Sequence, residues 1–324
     1  MTTLRLYVIA ISIFAAMLPG AVSAQTYPNK PVRLVVPFAP GGTTDLLARA
    51  ISVKMGEVLG QTVVVENKAG AGGAIGAAEV AKAQPDGYVL LMSSVSTMAT
   101  NPAINATTPY DPNTDFAHII NVAATPNVIA VHPSFPAKDY KAFVAALKKE
   151  PGKYSYGSAG NGSVGHLLAE MYKSNAKVFI VHIAYRGSGP ALNDTVAGQV
   201  AIIVDNLPSA LPFIKDKRLI PIVVAAPQRL AQLPDTPTFA EVGLGSVNRM
   251  SFLGVSAPKG TPAAVVDKLN AAVKAALADA SVRQRIEATG AIVVGNSATE
   301  YQAQIKDELA TYQRVVKQQN LTPD

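Results

Sequence analysis

Two hydrophobic periods alternate along this chain. Val32-Arg33-Leu34-Val35-Val36 is a run of β-branched and aliphatic residues, whereas Leu46, Leu47, Ala50, Ile51, Met55 and Val58 recur at helical spacing. The run predicts a buried strand and the recurrence a helix. Pro40-Gly41-Gly42 breaks the chain between them. Thr43 or Thr44 can cap the new helix, and Asp45 in its first turn suits the positive end of the helix dipole. The same alternation predicts strands over 62–66 and 88–92, the second ending at Ser93-Ser94, on either side of an alanine-rich helix. Strand, helix, strand, helix, strand in short order implies right-handed crossovers and a parallel sheet.

Residues 102–126 read as loop, and the hydrophobic pattern restarts at Val128-Ile129-Ala130-Val131. From there helices are predicted over 139–149, 163–174, 190–197 and 209–214, alternating with strands over 154–156, 178–183, 200–204 and 220–224. A strand over 252–256, a helix begun by Pro262 and a long terminal helix complete the pattern. The first crossing between domains is placed at 124–126 and the return in the proline-rich 227–237. The expected division is 25–124 with 226–324 in one unit and 125–225 in the other.

The N-terminus stands apart from this pattern. Arg5, an apolar run over 6–18, a Pro19-Gly20 break and Val22-Ser23-Ala24 read as a secretory signal peptide cleaved after Ala24. The chain has no cysteine, so neither a disulfide framework nor a thiol-linked lipid is available. A freely soluble exported protein is expected, since no later segment is long and apolar enough for a transmembrane helix. A mature chain of about three hundred residues commonly divides its core between two domains. The formal net charge of +6 is spread along the chain without basic runs interleaved with aromatics, which argues against nucleic acid. It favours weak attraction of small anions.

Ligands of open α/β sheets sit beyond the carboxyl ends of strands, so the strand-to-helix turns carry the candidate chemistry. Gly41-Gly42 before a helix lets backbone N–H groups face an anion without Cβ atoms in the way; the alternative is an ordinary turn. Gly70-Ala71-Gly72-Gly73-Ala74-Ile75-Gly76 misses the dinucleotide fingerprint, because Ile75 stands at its third glycine, and no Gly-Lys-Ser/Thr follows either glycine loop. Ser158-Ala159-Gly160-Asn161-Gly162-Ser163-Val164-Gly165-His166 and Tyr185-Arg186-Gly187-Ser188-Gly189-Pro190 supply hydroxyls, an amide, exposed N–H groups and one guanidinium. Three such turns on both sides of a domain crossing point to a cleft for a small anionic solute.

These turns, with Pro37-Phe38-Ala39-Pro40 before the first, Tyr110-Asp111-Pro112 and Ala257-Pro258-Lys259-Gly260-Thr261-Pro262, occur in an order that resembles the Bug-type receptors of tripartite tricarboxylate transporters. The likeness runs from about Tyr27 to the C-terminus; one departure is His132, where the family has a neutral residue. It implies an α/β, two-lobed periplasmic binding fold, each lobe a mainly parallel sheet flanked by helices. It also implies a carboxylate held between the lobes and delivery to membrane-embedded transporter subunits, without a cofactor. Carried over by position, the ligand contacts are Phe38, Ala39, Gly41, Gly42, Thr43 and Asp45, with Ser93 and Ser94 beside them. The second lobe contributes Ser158, Gly160, Asn161, Ser163 and His166, then Tyr185, Arg186, Gly187 and Ser188. Asp205 faces the cleft and accepts from a ligand hydroxyl or amine. A monomer is expected.

Other readings weigh against these. Ser163 and His166 suggest a hydrolase, but Asn161 replaces the first glycine of the G-x-S-x-G elbow. The four histidines lack metal-pair spacing. Arg186 is either a carboxylate clamp or a loop-ordering salt bridge, Asp45 a helix-start charge or a contact, and Asp205 a recognition or a supporting group. A receptor that signals instead of feeding a transporter uses the same closed shape, and the solute stays open.

Overall fold

The computed structural model describes residues 27–322, so the signal-peptide segment lies outside the described residues. The chain runs β1 (Val32–Val36), α1 (Thr43–Leu59), β2 (Val63–Asn67), a 3-10 turn (Ala71–Gly73), α2 (Ala74–Ala81) and β3 (Val89–Ser94). A π-helical turn (Ser96–Thr100), α3 (Asn101–Ile104) and β4 (Phe116–Thr125) follow. Then come β5 (Asn127–Val131), α4 (Tyr140–Lys149), β6 (Ser155–Ser158), α5 (Val164–Ala176), β7 (Val181–Ala184), α6 (Ser188–Val196), β8 (Ile202–Asn206), α7 (Leu207–Lys215) and β9 (Ile220–Ala225). The last part holds β10 (Ser251–Pro258), α8 (Ala263–Ala278), α9 (Ala280–Glu287), β11 (Ile292–Val293) and α10 (Ala298–Gln318).

These elements build two lobes. One has a six-stranded sheet in the order β11-β4-β10-β3-β1-β2, the other a five-stranded sheet in the order β7-β6-β8-β5-β9. β1 and β3 are buried along nearly their whole length, as strands covered by helices on both faces must be. The α/β two-lobed architecture agrees with the sequence reading, and most strands of each sheet run in one direction, with β10 and β11 reversed in the first sheet and β5 in the second. β3–β10, β10–β4, β4–β11, β5–β8 and β5–β9 pair antiparallel. The reason is the pair of crossings. β4 runs almost directly into β5 through Pro126, and a strand that carries the chain between lobes joins each sheet without a βαβ crossover to set its direction.

Two expectations are corrected. Residues 116–125, read as loop among prolines, form the ten-residue strand β4, which lies between β10 and the short edge strand β11. Residues 226–250, assigned to the first lobe, pack on the second: Val224 bridges Thr238, the Phe239 N–H donates to the Val224 carbonyl, and the Phe239 ring meets Tyr172 of α5 at 6.1 Å. The return crossing comes at 248–251, where the Ser251 hydroxyl and the Asn206 amide both donate to Asn127 Oδ1, at 3.0 and 2.6 Å. This amide knot ties the two crossings together.

Candidate functional site

The first glycine turn owes its shape to Asp45. Its carboxylate is buried and accepts from the Gly41 N–H at 3.1 Å, from Arg49 Nε at 3.0 Å and from Asn67 Nδ2 at 3.0 Å. Burial works against the charge, but the bonds from Arg49, Asn67 and Gly41 hold its carboxyl below the ordinary aspartate range. Gly41 is thereby fixed at φ +87°, a conformation that glycine adopts without strain.

Helix starts from both lobes converge on one cavity. Gly42, Thr43 and Thr44 at the start of α1 line it, as do Val164 and Gly165 of α5, Ser188 of α6 and Asn206 at the cap of α7; Phe38, Ser94, Ser96, Asp205 and Phe252 stand on the same wall. The first-turn N–H groups of a helix lack intrahelical acceptors, and each such end carries about half a positive charge. The lobes are shut, leaving about 20 Å³ between them, room for one water-sized group.

Named bonds hold them shut. The Ala39 N–H donates to the Arg186 carbonyl at 3.0 Å, the Thr100 hydroxyl to the Gly162 carbonyl at 2.7 Å, and the Val164 N–H to Ser96 Oγ at 3.0 Å. Thr43 Oγ1 accepts from the Ser209 N–H at 3.1 Å and lies 2.9 Å from Ser209 Oγ. Ser209 Oγ in turn donates to Asp205 at 2.6 Å, and Ser188 Oγ donates to the other oxygen of the same carboxylate at 2.5 Å. Burial pushes the Asp205 carboxyl up to about 6, against the bonds from Ser188, Ser209 and the Asn206 backbone.

The family of tripartite tricarboxylate transporter receptors matches residues 47–321. The chain is 35% identical to protein BugT of Bordetella pertussis over 98% of its own length and 97% of that protein. Among solved structures, the periplasmic binding protein BugD superposes with a TM-score of 0.89 at 37% identity, covering 92% of this chain and 100% of that one. MatC from Rhodopseudomonas palustris with bound malate superposes with a TM-score of 0.87 at 33% identity, covering 90% and 100%. The chain belongs to the tripartite tricarboxylate transporter receptor family. Its relatives of known structure are solute-binding proteins, and so, at that level, is this receptor.

Within the receptor, Phe38, Gly42, Thr43, Ser94, Ser188 and Asp205 stand on the cavity wall. Other residues singled out from the sequence act beside it. Asp45 shapes the turn from behind. Ser93 faces the lobe interior, its hydroxyl 2.9 Å from Ser256 Oγ and 2.9 Å from Tyr301 OH, because successive strand residues point to opposite faces. Ser158 bonds His182 Nε2 at 2.7 Å and the Gly160 N–H at 3.1 Å. Ser163 caps α5 through the His166 N–H, and His166 Nδ1 accepts from the Gly162 N–H at 3.1 Å. Both members of the suspected hydrolase pair thus build the turn. Tyr185 bonds Asp194 at 2.7 Å, while the Arg186 side chain is exposed and only its carbonyl joins the lobe contact. Ala39, Gly41, Gly160, Asn161 and Gly187 lie where the lobes touch backbone to backbone.

Sequence reasoning missed Ser96, Phe252, Asn206 and Ser209. Ser209 carried one signal, its place three residues into the Asn206-Leu207-Pro208-Ser209 helix start. Nothing local marked it as the partner of Thr43, 166 positions away.

Proposed function

We propose that this receptor captures a small carboxylate-containing metabolite between its lobes and presents it, unaltered, to a membrane-embedded transporter. The observation that carries the reading is the convergence of helix N-termini from both lobes, α1 from one and α5 and α6 from the other, on one cavity; at the start of α7 the Leu207 and Ser209 N–H groups already donate to Pro126 and Thr43. Such ends, with hydroxyls beside them, favour a carboxylate without any lysine or arginine. The malate in MatC supports that ligand class. We place the ligand contacts at Phe38, Gly42, Thr43, Ser94, Ser188 and Asp205 on the wall, with the turns at Ala39, Gly41, 158–166 and 185–188 holding the shut form. The ligand enters an opened cleft, and contacts to both lobes shift the population toward closure.

Export to the periplasm through the segment 1–24 belongs to the same proposal, and the periplasmic relatives favour it. The test is a thermal-shift screen over organic acids, amines and neutral sugars, because a ligand that binds only the folded state raises its melting temperature. Acids alone are expected to shift it. A response confined to sugars or amines removes the reading. Capture of integral transporter subunits from solubilised membranes, dependent on added acid, tests the delivery step.

A further inference from the structure

We infer that the outer edge of β7 is a docking surface for an extended segment of a partner protein, one that alternates apolar residues and carries acidic residues at both ends.

An edge strand presents a row of backbone N–H and C=O groups on which another strand can pair, and natural sheets blunt such edges. Three of the four edges are blunted here. β11 is two residues long. β2 carries Glu66, which pairs with Arg33 and Lys68, and Glu79 joins the same two cations. β9 contains Pro221, and its outer side is occupied: the Val224 N–H donates to the Pro237 carbonyl and the Phe239 N–H to the Val224 carbonyl.

β7 has none of these devices. It holds no proline, lysine, arginine or carboxylate, and His182 turns inward to bond Ser158 and stack on Tyr156. Its pairing with residues 152–158 extends past both ends, since the Gly152 N–H donates to the Phe179 carbonyl, the Val181 N–H to Tyr154 and the Tyr185 N–H to Ser158. Those odd-numbered residues face β6. The alternation of a strand therefore turns the N–H and C=O groups of Ile180 and Ala184 to the outer edge, where no described strand pairs.

The side chains and the flanking charges select the occupant. Phe179, Val181 and Ile183 share one face of the strand and are 52%, 42% and 37% exposed. Lys177 precedes this row and Arg186 follows it; both side chains are exposed, and neither joins an ion pair among the described residues. Acyl chains of a membrane offer nothing to open backbone groups. A second copy of this chain, laid alongside in either direction, sets basic residue against basic residue at both ends, and like charges opposite each other destabilise a strand pair. An incoming strand with apolar residues at alternate positions covers Phe179, Val181 and Ile183 while its backbone pairs with the edge, and carboxylates at its ends meet the two cations. The surface lies outside the cleft and ends at its rim, where the Arg186 carbonyl accepts from the Ala39 N–H.

Fluorescence anisotropy of the purified protein with labelled synthetic peptides tests this. The probes are a core that alternates valine with threonine between aspartates, the same core between lysines, and the aspartate-ended core with a central proline. The aspartate-ended peptide is expected to bind about tenfold or more tighter than the other two, less so in high salt, and to slow hydrogen exchange at the Ile180 and Ala184 amides. Ile183→Lys should abolish that binding, and Lys177→Glu combined with Arg186→Glu should reverse the preference toward the lysine-ended peptide. The charge reversal alters only exposed side chains, so it decides the matter even if Ile183→Lys fails to fold. An aspartate-ended peptide that does not bind, or binds no better than the lysine-ended one, overturns the inference. So does a dimer in sedimentation that Ile183→Lys dissolves, which gives the edge to a second copy, or binding to phosphatidylglycerol vesicles that the same change removes, which gives it to a membrane.

Discussion

Gly72 of the first lobe and Asn161 of the second meet so closely that a Cβ on Gly72 would stand 2.1 Å from the Asn161 carbonyl oxygen. Gly160 faces the same spot, with Gly72 N 3.2 Å from where its own Cβ would lie. The Gly70 to Gly73 turn, which resembles half of a nucleotide fingerprint, is used here as a seat for the opposing lobe. Gly72→Ala should leave each lobe folded but cost the ligand-free protein about 1–2 kcal/mol, because the position stands at φ +59° and the new Cβ also meets Asn101 of its own lobe. It should prevent full closure and weaken acid binding by about tenfold or more, since closure supplies the second set of contacts. Calorimetry beside small-angle scattering checks it; a variant that closes and binds as before would show that this contact does not limit closure.

Thr43 is the first-lobe end of a hydroxyl chain that runs through Ser209 to Asp205. Thr43→Val keeps the β-branched shape and removes both hydrogen bonds to Ser209, so the loss falls on the shut form. Each neutral bond is worth about 1 kcal/mol, so the two together predict affinity lower by about thirtyfold. The dissociation rate is expected to carry most of the change, and stopped-flow release of bound acid measures it.

Ser93 sits one residue before the wall residue Ser94 but belongs to a different network. His118 Nε2 lies 2.9 Å from the Pro112 carbonyl, so that nitrogen must carry the proton, and Nδ1 then accepts from Ser256 at 3.0 Å. Ser256 therefore accepts from Ser93, and Ser93 from Tyr301 of α10. Ser93→Ala breaks this buried chain and should destabilise the protein by about 1–3 kcal/mol. Acid affinity at saturating folded protein is expected to be unchanged; an affinity loss without a stability loss would return Ser93 to the binding site.

Two buried groups give stability opposite pH dependences. Asp205, raised from 3.8 to about 6, binds more protons folded than unfolded, so it withdraws stability as pH rises through that window. His118, pushed down by burial from 6.5 to about 4, binds fewer, so its contribution is full above 6.5 and is lost as pH falls toward 4. Because the windows overlap, the comparison that separates them is between wild type and Asp205→Asn. The variant should melt higher at neutral pH, the Asp205 term being worth up to about 3 kcal/mol, with the difference vanishing toward pH 4. Equal melting temperatures at every pH would mean the Asp205 charge costs nothing where it stands.

Much of this protein was legible in its sequence because the signals are local. A β-branched run followed by Pro40-Gly41-Gly42 and a helical repeat states strand, turn and helix within a few residues, and Ser163 and Asp139 announce the helices they cap. The glycine-rich turns, and the order in which they occur, were enough to point to two lobes and an anion between them. Only the tertiary structure decided direction and partnership. β4 hid among prolines, since a strand buried in a mixed sheet is held by neighbours such as β10, far away in sequence. Ser93 and Ser94 were indistinguishable in type, and the alternation of a strand sent one to the interior and the other to the cavity. Arg186 has the chemistry of a carboxylate clamp, but its side chain faces solvent, while Ser209, unremarked in the sequence, closes the cleft. Residue type states what a side chain can do; which atoms stand within a hydrogen bond of it is set by packing between segments that share no sequence neighbourhood.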